Sequence, residues 1–176
     1  MVERTLDVIC IGRSSVDLYG EQVGCRLEDT SSFAKYVGGC ATNISVGSSR
    51  LGLKSGLITR VGDEQMGHYI VETLKAEGVD TSYIESDPER LTALVILGIR
   101  NRESFPHIFY RENCADMALT PDHIDANYIA SSKALLLTGT HFSTPGVDAA
   151  SRTAIKYAKA AGTRVVLDID YRPVLW

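Results

Sequence analysis

The chain has 176 residues, 44% of them hydrophobic and 23% charged, with a formal net charge of −4. That is enough for one domain with a sizeable core, and it carries no basic stripe for nucleic acid and no run of about 20 apolar residues for a membrane span. The opening MVERTLDVICIG has acidic residues where a secretory signal has a basic region, so the chain reads as cytoplasmic.

Leu6 to Ile11 is a short apolar run ending at Gly12, the pattern of a buried, parallel strand. Val16 to Tyr19 and Ser32 to Val37 are shorter and more polar, and suit a smaller, exposed sheet. Ala41 to Leu51 has helical spacing, with Gly52 as its stop. Lys54 to Val61 is strand-like. Asp63 or Glu64 can cap a helix running to about Ala76, with Met66, Ile70, Val71 and Leu74 on one face and Gly78 beyond its end. Leu91 to Arg100 and Pro106 to Arg111 read as a hairpin joined by the polar stretch Asn101 to Ser104. Ala134 to Thr138 is another buried strand, followed by a loop from Gly139 to Thr144. Pro145 to Ala161 is helical and stops at Gly162, and Arg164 to Ile169 is a final strand.

Strands alternate with helices at both ends of the chain, which is the pattern of a layered α/β fold. The two β-rich stretches between them break the alternation and point to a second, small sheet. There is no internal repeat and no low-complexity linker. Cys10, Cys25, Cys40 and Cys114 form no CxxC pair, and the four histidines fall at no metal-ligand spacing. The cysteines read as reduced, structural thiols. Asn43-Ile44-Ser45 fits the glycosylation pattern, which a cytoplasmic protein does not use.

The sharpest local feature is Gly38-Gly39-Cys40-Ala41-Thr42-Asn43-Ile44-Ser45. Two glycines before a helix let backbone approach a ligand closely, and free amides at the helix start can bind oxygen atoms. Asn43, in the first turn, can both donate to and accept from hydroxyls. Taken alone, the glycines fit an ordinary turn before a helix better than a binding loop.

Gly39, Asn43, Ser45, Gly52 and Gly62 fall in the order and spacing of the first signature of the PfkB/ribokinase family. Arg50-Leu51-Gly52-Leu53, Val61 to Gly67 and Gly78-Val79-Asp80 resemble the same family, and the resemblance runs from Leu6 to Trp176. It implies a ribokinase-like three-layer α/β/α core with a small β-sheet lid, the lid segments falling at about 16–38 and 91–111. It implies a sugar-binding role for Asp17, because a carboxylate can accept two hydroxyls through charge-assisted bonds. Ser15 stands where many relatives carry Asn. Cys40 replaces a Lys or Asp of other branches, which speaks against ribose and adenosine as substrates.

Phe109 to Ala115 resembles the Tyr-x-Arg-x-x-Ser-Ala segment of 2-keto-3-deoxygluconate kinases, and Asp168 to Trp176 resembles an Asp-x-Asn-x-Arg-x-x-Leu-Trp segment shared with fructokinases. Asp170 stands where Asn is usual. These segments add Tyr110, Arg111, Asp170 and Arg172 to the implied substrate-binding set of Ser15, Asp17, Gly38, Gly39 and Asn43. An Arg fork suits a planar carboxylate, so a sugar acid fits better than a neutral sugar. Gly12 to Gly20, Tyr36 to Cys40, Arg90 to Val95 and Tyr110 to Asp116 look most like the branch that serves inositol catabolism.

The family's second signature, a Gly-Ala-Gly-Asp segment with the catalytic base and the anion hole, does not occur in the chain. The expectation is therefore a domain truncated before its carboxy-terminal half and inactive alone. It belongs to a parent enzyme that takes ATP and Mg²⁺, associates with copies of itself, and binds neither nucleic acid nor membrane. A non-catalytic binding or dimerisation module is the alternative from another class. A dinucleotide-dependent oxidoreductase is disfavoured because no G-x-G-x-x-G follows the first strand.

Overall fold

The computed structural model describes residues 3–173. Val174, Leu175 and Trp176, the end of the Asp168–Trp176 segment, lie outside the described residues, as do Met1 and Val2. In chain order the elements are β1 (Leu6–Ile11), β2 (Ser15–Gly20), β3 (Phe33–Gly38), α1 (Cys40–Arg50), β4 (Ser55–Gly62), α2 (Gln65–Ala76), β5 (Ile84–Asp87), β6 (Ala93–Leu97), β7 (His107–Tyr110), α3 (Ala126–Ala130), β8 (Ser132–Thr138), α4 (Pro145–Ala161) and β9 (Arg164–Asp168).

Two sheets organise them. The larger has the order β5-β4-β1-β8-β9, and every pairing in it is parallel. β1 is central, with Ile11 opposite Ile58 on one side and Leu137 on the other. Its side chains alternate between two cores, as a strand covered on both faces requires. Ile9 and Ile11 pack with Leu135, Leu137, Ile129 of α3 and the Ala150-Ala154-Ala158 stripe of α4. Val8 and Cys10 pack with Leu57, with Ala41 and Val46 of α1, and with Ile70 and Leu74 of α2. Helices thus cover both faces, giving three layers. Cys10, Cys25, Cys40 and Cys114 are all free thiols.

The smaller sheet has the order β3-β2-β6-β7. β2 pairs antiparallel with β3 and parallel with β6, and β6 and β7 form an antiparallel hairpin. Only Gly12 to Ser14 separate β1 from β2, so this sheet rises directly from the carboxy-terminal ends of the central strands.

The helix ends follow local chemistry. Glu64, not Asp63, caps α2, accepting from Met66 N at 2.7 Å and Gly67 N at 3.3 Å. The same carboxylate accepts from Thr92 N at 3.1 Å, which ties the α2 start to the approach of β6. Pro145 begins α4, and Gly162, at φ 68°, ends it in the left-handed conformation. Two elements depart from the sequence reading. α3 has five residues, too few to show a helical period; Asp125 caps it by accepting from Tyr128 N at 2.7 Å. β5 has four residues at the sheet edge and carries mostly polar side chains. No helix among the described residues is long and apolar enough to cross a membrane.

His141 is fully buried. The Ser151 hydroxyl donates to Val147 O at 2.8 Å, so the His141 Nδ1, 2.9 Å from Ser151 Oγ, is the protonated nitrogen. Nε2 is left without a hydrogen-bond partner. Burial, reinforced by the Arg111 charge, pushes the imidazole pKa down from 6.5 to about 3. Between those values the unfolded chain binds the extra proton and the folded chain does not. Stability is therefore fully present above pH 6.5 and is lost as pH falls towards 3. Going from pH 7 to pH 5, this group alone should cost about 2 kcal/mol. Urea unfolding at the two pH values, compared with His141→Asn, checks this. The wild type should lose more stability than the variant on acidification; equal losses would contradict the assignment.

Candidate functional site

A cleft of about 440 Å³ opens where the small sheet meets the amino-terminal end of α1, at the carboxy-terminal end of β1. This is the usual ligand position of an open α/β sheet. The inner face of the small sheet contributes Asp17, Tyr19, Val95, Leu97, His107 and Phe109. Gly39, Cys40, Asn43 and Ile44 of the α1 start line the cleft as well, together with Arg13 and Arg172.

Asp17 is half-buried on β2. Its Oδ1 accepts from the Ser15 hydroxyl at 2.9 Å, and Ser15 is itself fully buried. Desolvation pushes the Asp17 carboxyl up from its ordinary pKa, while the Ser15 bond and the Arg13 charge oppose the rise. Ser15 thus acts through Asp17. Gly38 does so by leaving room, because a Cβ there would collide with the Asp17 carboxylate. Gly39 has φ 97° and caps α1. A Cβ at that position would run into the Arg13 carbonyl oxygen, so glycine is required both for the conformation and for the contact. Asn43 exposes its amide to the cleft beside Asp17.

The tail after β9 supplies Arg172, whose Nε donates to Asp170 Oδ1 at 3.0 Å. Asp170 lies just behind, with its other oxygen buried and unpartnered. The Cys40 thiol donates to Asp168 Oδ2 at 3.2 Å. Burial and that bond push Cys40 up to about 12, so it is a neutral donor at physiological pH and not a nucleophile.

The structure separates two expected site residues from this cleft. Side chains alternate along β7, so Phe109 and His107 face the cleft while Tyr110 lines a different hollow with Glu64, Arg90 and Glu112. Arg111 is 5% exposed. Its Nε donates to Asp116 Oδ2 at 2.8 Å, and its Nη2 lies 2.7 Å from the same oxygen. Its charge is therefore matched inside the protein.

Arg13 is the site residue that sequence reasoning missed. It is 7% exposed and lines the cleft, and its guanidinium carbon lies 5.4 Å from the Phe109 ring centroid. The available signal was its position, two residues past the end of the central strand, where α/β folds place ligand contacts.

Chemically, the cleft offers a carboxylate and an amide for hydroxyls, two guanidinium groups for a negative group, and apolar side chains. Among the described residues no group of three or more His, Cys, Asp or Glu side chains could hold a metal ion.

Residues 5–176 match the pfkB family carbohydrate kinase. The 5-dehydro-2-deoxygluconokinase of Geobacillus kaustophilus (strain HTA426) is 41% identical over 175 residues, which cover 99% of this chain and 52% of that protein. The crystal structure of a PfkB protein from Polaromonas sp. JS666 superimposes with a TM-score of 0.92 at 30% identity, covering 98% of this chain and 58% of that one. A sugar kinase from Pyrococcus horikoshii in complex with ATP gives a TM-score of 0.88 at 29% identity, covering 96% of this chain and 55% of that one. The chain spans about half the length of the curated relatives it matches.

Proposed function

Because the chain belongs to the pfkB family of carbohydrate kinases and has the ribokinase-like α/β fold, we propose that it forms the acceptor-binding part of an ATP-dependent sugar-acid kinase. The reaction moves the γ-phosphate of ATP to the terminal hydroxyl of 5-dehydro-2-deoxygluconate. The observation that carries this reading is the cleft itself. Asp17 and Asn43 bring hydroxyl-binding groups to its lining, and Arg13 and Arg172 bring positive charge to the same lining. A neutral sugar has no use for the second feature. The name of the relatives, 5-dehydro-2-deoxygluconokinase, supports the choice of acid.

The small sheet acts in this reading as the lid over the sugar. Asp17 accepts from sugar hydroxyls, held by Ser15; Asn43 donates and accepts beside it; Gly38 and Gly39 let sheet and helix approach. ATP, with Mg²⁺ accompanying its phosphates, is the donor. Among the described residues no group of three or more His, Cys, Asp or Glu side chains could hold the ion. β9 forms an edge of the main sheet with Val166 and Leu167 exposed, and an open edge is a template for another chain. Self-association is thus part of the same proposal.

The test pairs calorimetric binding with a coupled ADP-release assay on this chain. Binding of 5-dehydro-2-deoxygluconate should exceed that of fructose and ribose. Turnover should be absent, since a missing general base costs about 10²–10⁴-fold and a missing anion hole about 10²–10³-fold more. Tighter binding of fructose or ribose would overturn the substrate. Turnover of about 1–10³ per second would overturn the acceptor-only role.

A further inference from the structure

We propose that Arg13 binds the carboxylate of the acceptor and sets the preference for an acid over a neutral sugar. This rests on the sugar-acid reading above and names the residue responsible for it. Arg13 and Arg172 line the cleft, and Arg111 lies outside it.

Arg111 has one buried nitrogen, Nη2, without a hydrogen bond, but its charge is met by Asp116, whose Oδ2 accepts from Nε and lies 2.7 Å from Nη2. Arg172 is 58% exposed at its side chain and donates to Asp170, so solvent and a neighbouring carboxylate already attend to it. Arg13 is buried to more than nine-tenths, and its Nε and Nη1 have no hydrogen-bond partner. A buried cation with unmatched donors is costly, because desolvation is not offset. Such a group persists where a ligand supplies the acceptor.

Two features hold Arg13 ready. Its backbone is fixed, since Thr42 Oγ1 donates to Arg13 O at 3.4 Å and Gly39 packs against the same carbonyl. Its guanidinium lies near the Phe109 ring, beside the apolar cleft residues Val95 and Leu97. In that low-dielectric setting a charge-assisted bond to a carboxylate gains strength. A planar guanidinium matches a planar carboxylate in geometry as well as charge. Asp17, Asp116 and Asp170 contribute negative potential around Arg13, yet its two buried nitrogens still lack a hydrogen-bonded acceptor.

The experiment measures dissociation constants of 5-dehydro-2-deoxygluconate and of its primary amide, which keeps the skeleton and removes the charge. Wild type, Arg13→Met and Arg111→Met are compared, with thermal melts of each without ligand. Wild type should prefer the acid. Arg13→Met should weaken acid binding roughly 10- to 100-fold and leave amide binding unchanged, so that the preference disappears. Its melting temperature should equal or exceed wild type, since an unmatched buried charge has been replaced by an apolar side chain of similar length. Arg111→Met should keep the preference. Retention of the acid preference in Arg13→Met overturns the assignment while leaving the sugar-acid reading intact. A lower melting temperature for Arg13→Met, with acid and amide weakened alike, shows a structural arginine and also overturns it. If wild type binds acid and amide equally, the sugar-acid reading falls and takes this assignment with it.

Discussion

Asp116→Ala should destabilise the fold by about 3–5 kcal/mol, the cost of leaving one member of a buried ion pair uncompensated. Asp116 is 1% exposed and Arg111 5%, with 2.7 Å between Nη2 and Oδ2. With the carboxylate gone, the Arg111 guanidinium stays in the interior with no counter-charge, and Arg13, whose charge already acts on it, adds repulsion. Urea unfolding measures the loss. The double variant Asp116→Ala/Arg111→Met should recover a large part of it, because replacing a buried pair by apolar groups is often close to neutral. A single variant as stable as wild type, or a double variant no better than the single, would contradict this account.

That pair also shows where sequence reading stops. The Tyr110-Arg111 segment resembles a ligand-binding segment, and nothing in the one-dimensional pattern says that Asp116, five residues on, folds back to neutralise the arginine. The decisive fact is burial of two charges against each other, a tertiary property. Strand phase was legible in principle: along β7 residues alternate, so Phe109 in the cleft excludes Tyr110 from it. The long elements were readable because their apolar spacing extends over several turns or both faces of a strand, as in β1 and α4. β5 and α3 were not, since four and five residues carry no period and their places are set by Asp87 and Asp125. Asp87 accepts from Glu89 N and Arg90 N at 2.9 and 3.1 Å and pairs with Arg60 and Arg90. The Gly38-Gly39 pair was visible as a motif, and its two separate reasons, room for Asp17 and room for the Arg13 carbonyl, appear only in three dimensions.

Asp17→Ala should weaken binding of 5-dehydro-2-deoxygluconate roughly 10- to 100-fold, from the loss of charge-assisted hydrogen bonds worth about 1.5–3 kcal/mol. Calorimetric titration gives the dissociation constant. The same substitution should leave the ligand-free melting temperature equal or higher, because desolvation disfavours the ionised Asp17 carboxylate in the fold. The sign follows: a carboxyl with a raised folded pKa takes up its proton earlier in the folded chain, so its ionisation lowers stability as pH rises through that range. Weaker binding with unchanged or greater stability marks a residue kept for its ligand. Undiminished affinity in Asp17→Ala would remove it from the site, and a large drop in melting temperature would make it a structural residue.

The central position of β1 has a consequence for synthesis on the ribosome. One edge of β1 is satisfied by β4, which ends at Gly62, and the other only by β8, which ends at Thr138. Roughly 75 residues separate the two events, about 4–15 s at ordinary translation rates. During that interval β1, α1, β4 and α2 can assemble with Val8 and Cys10 covered. Ile9 and Ile11, which face α3 and α4, stay uncovered beside an unpaired strand edge. A nascent chain paused before residue 132 would therefore bind a trigger-type chaperone through this face, and release it once β8 slots in.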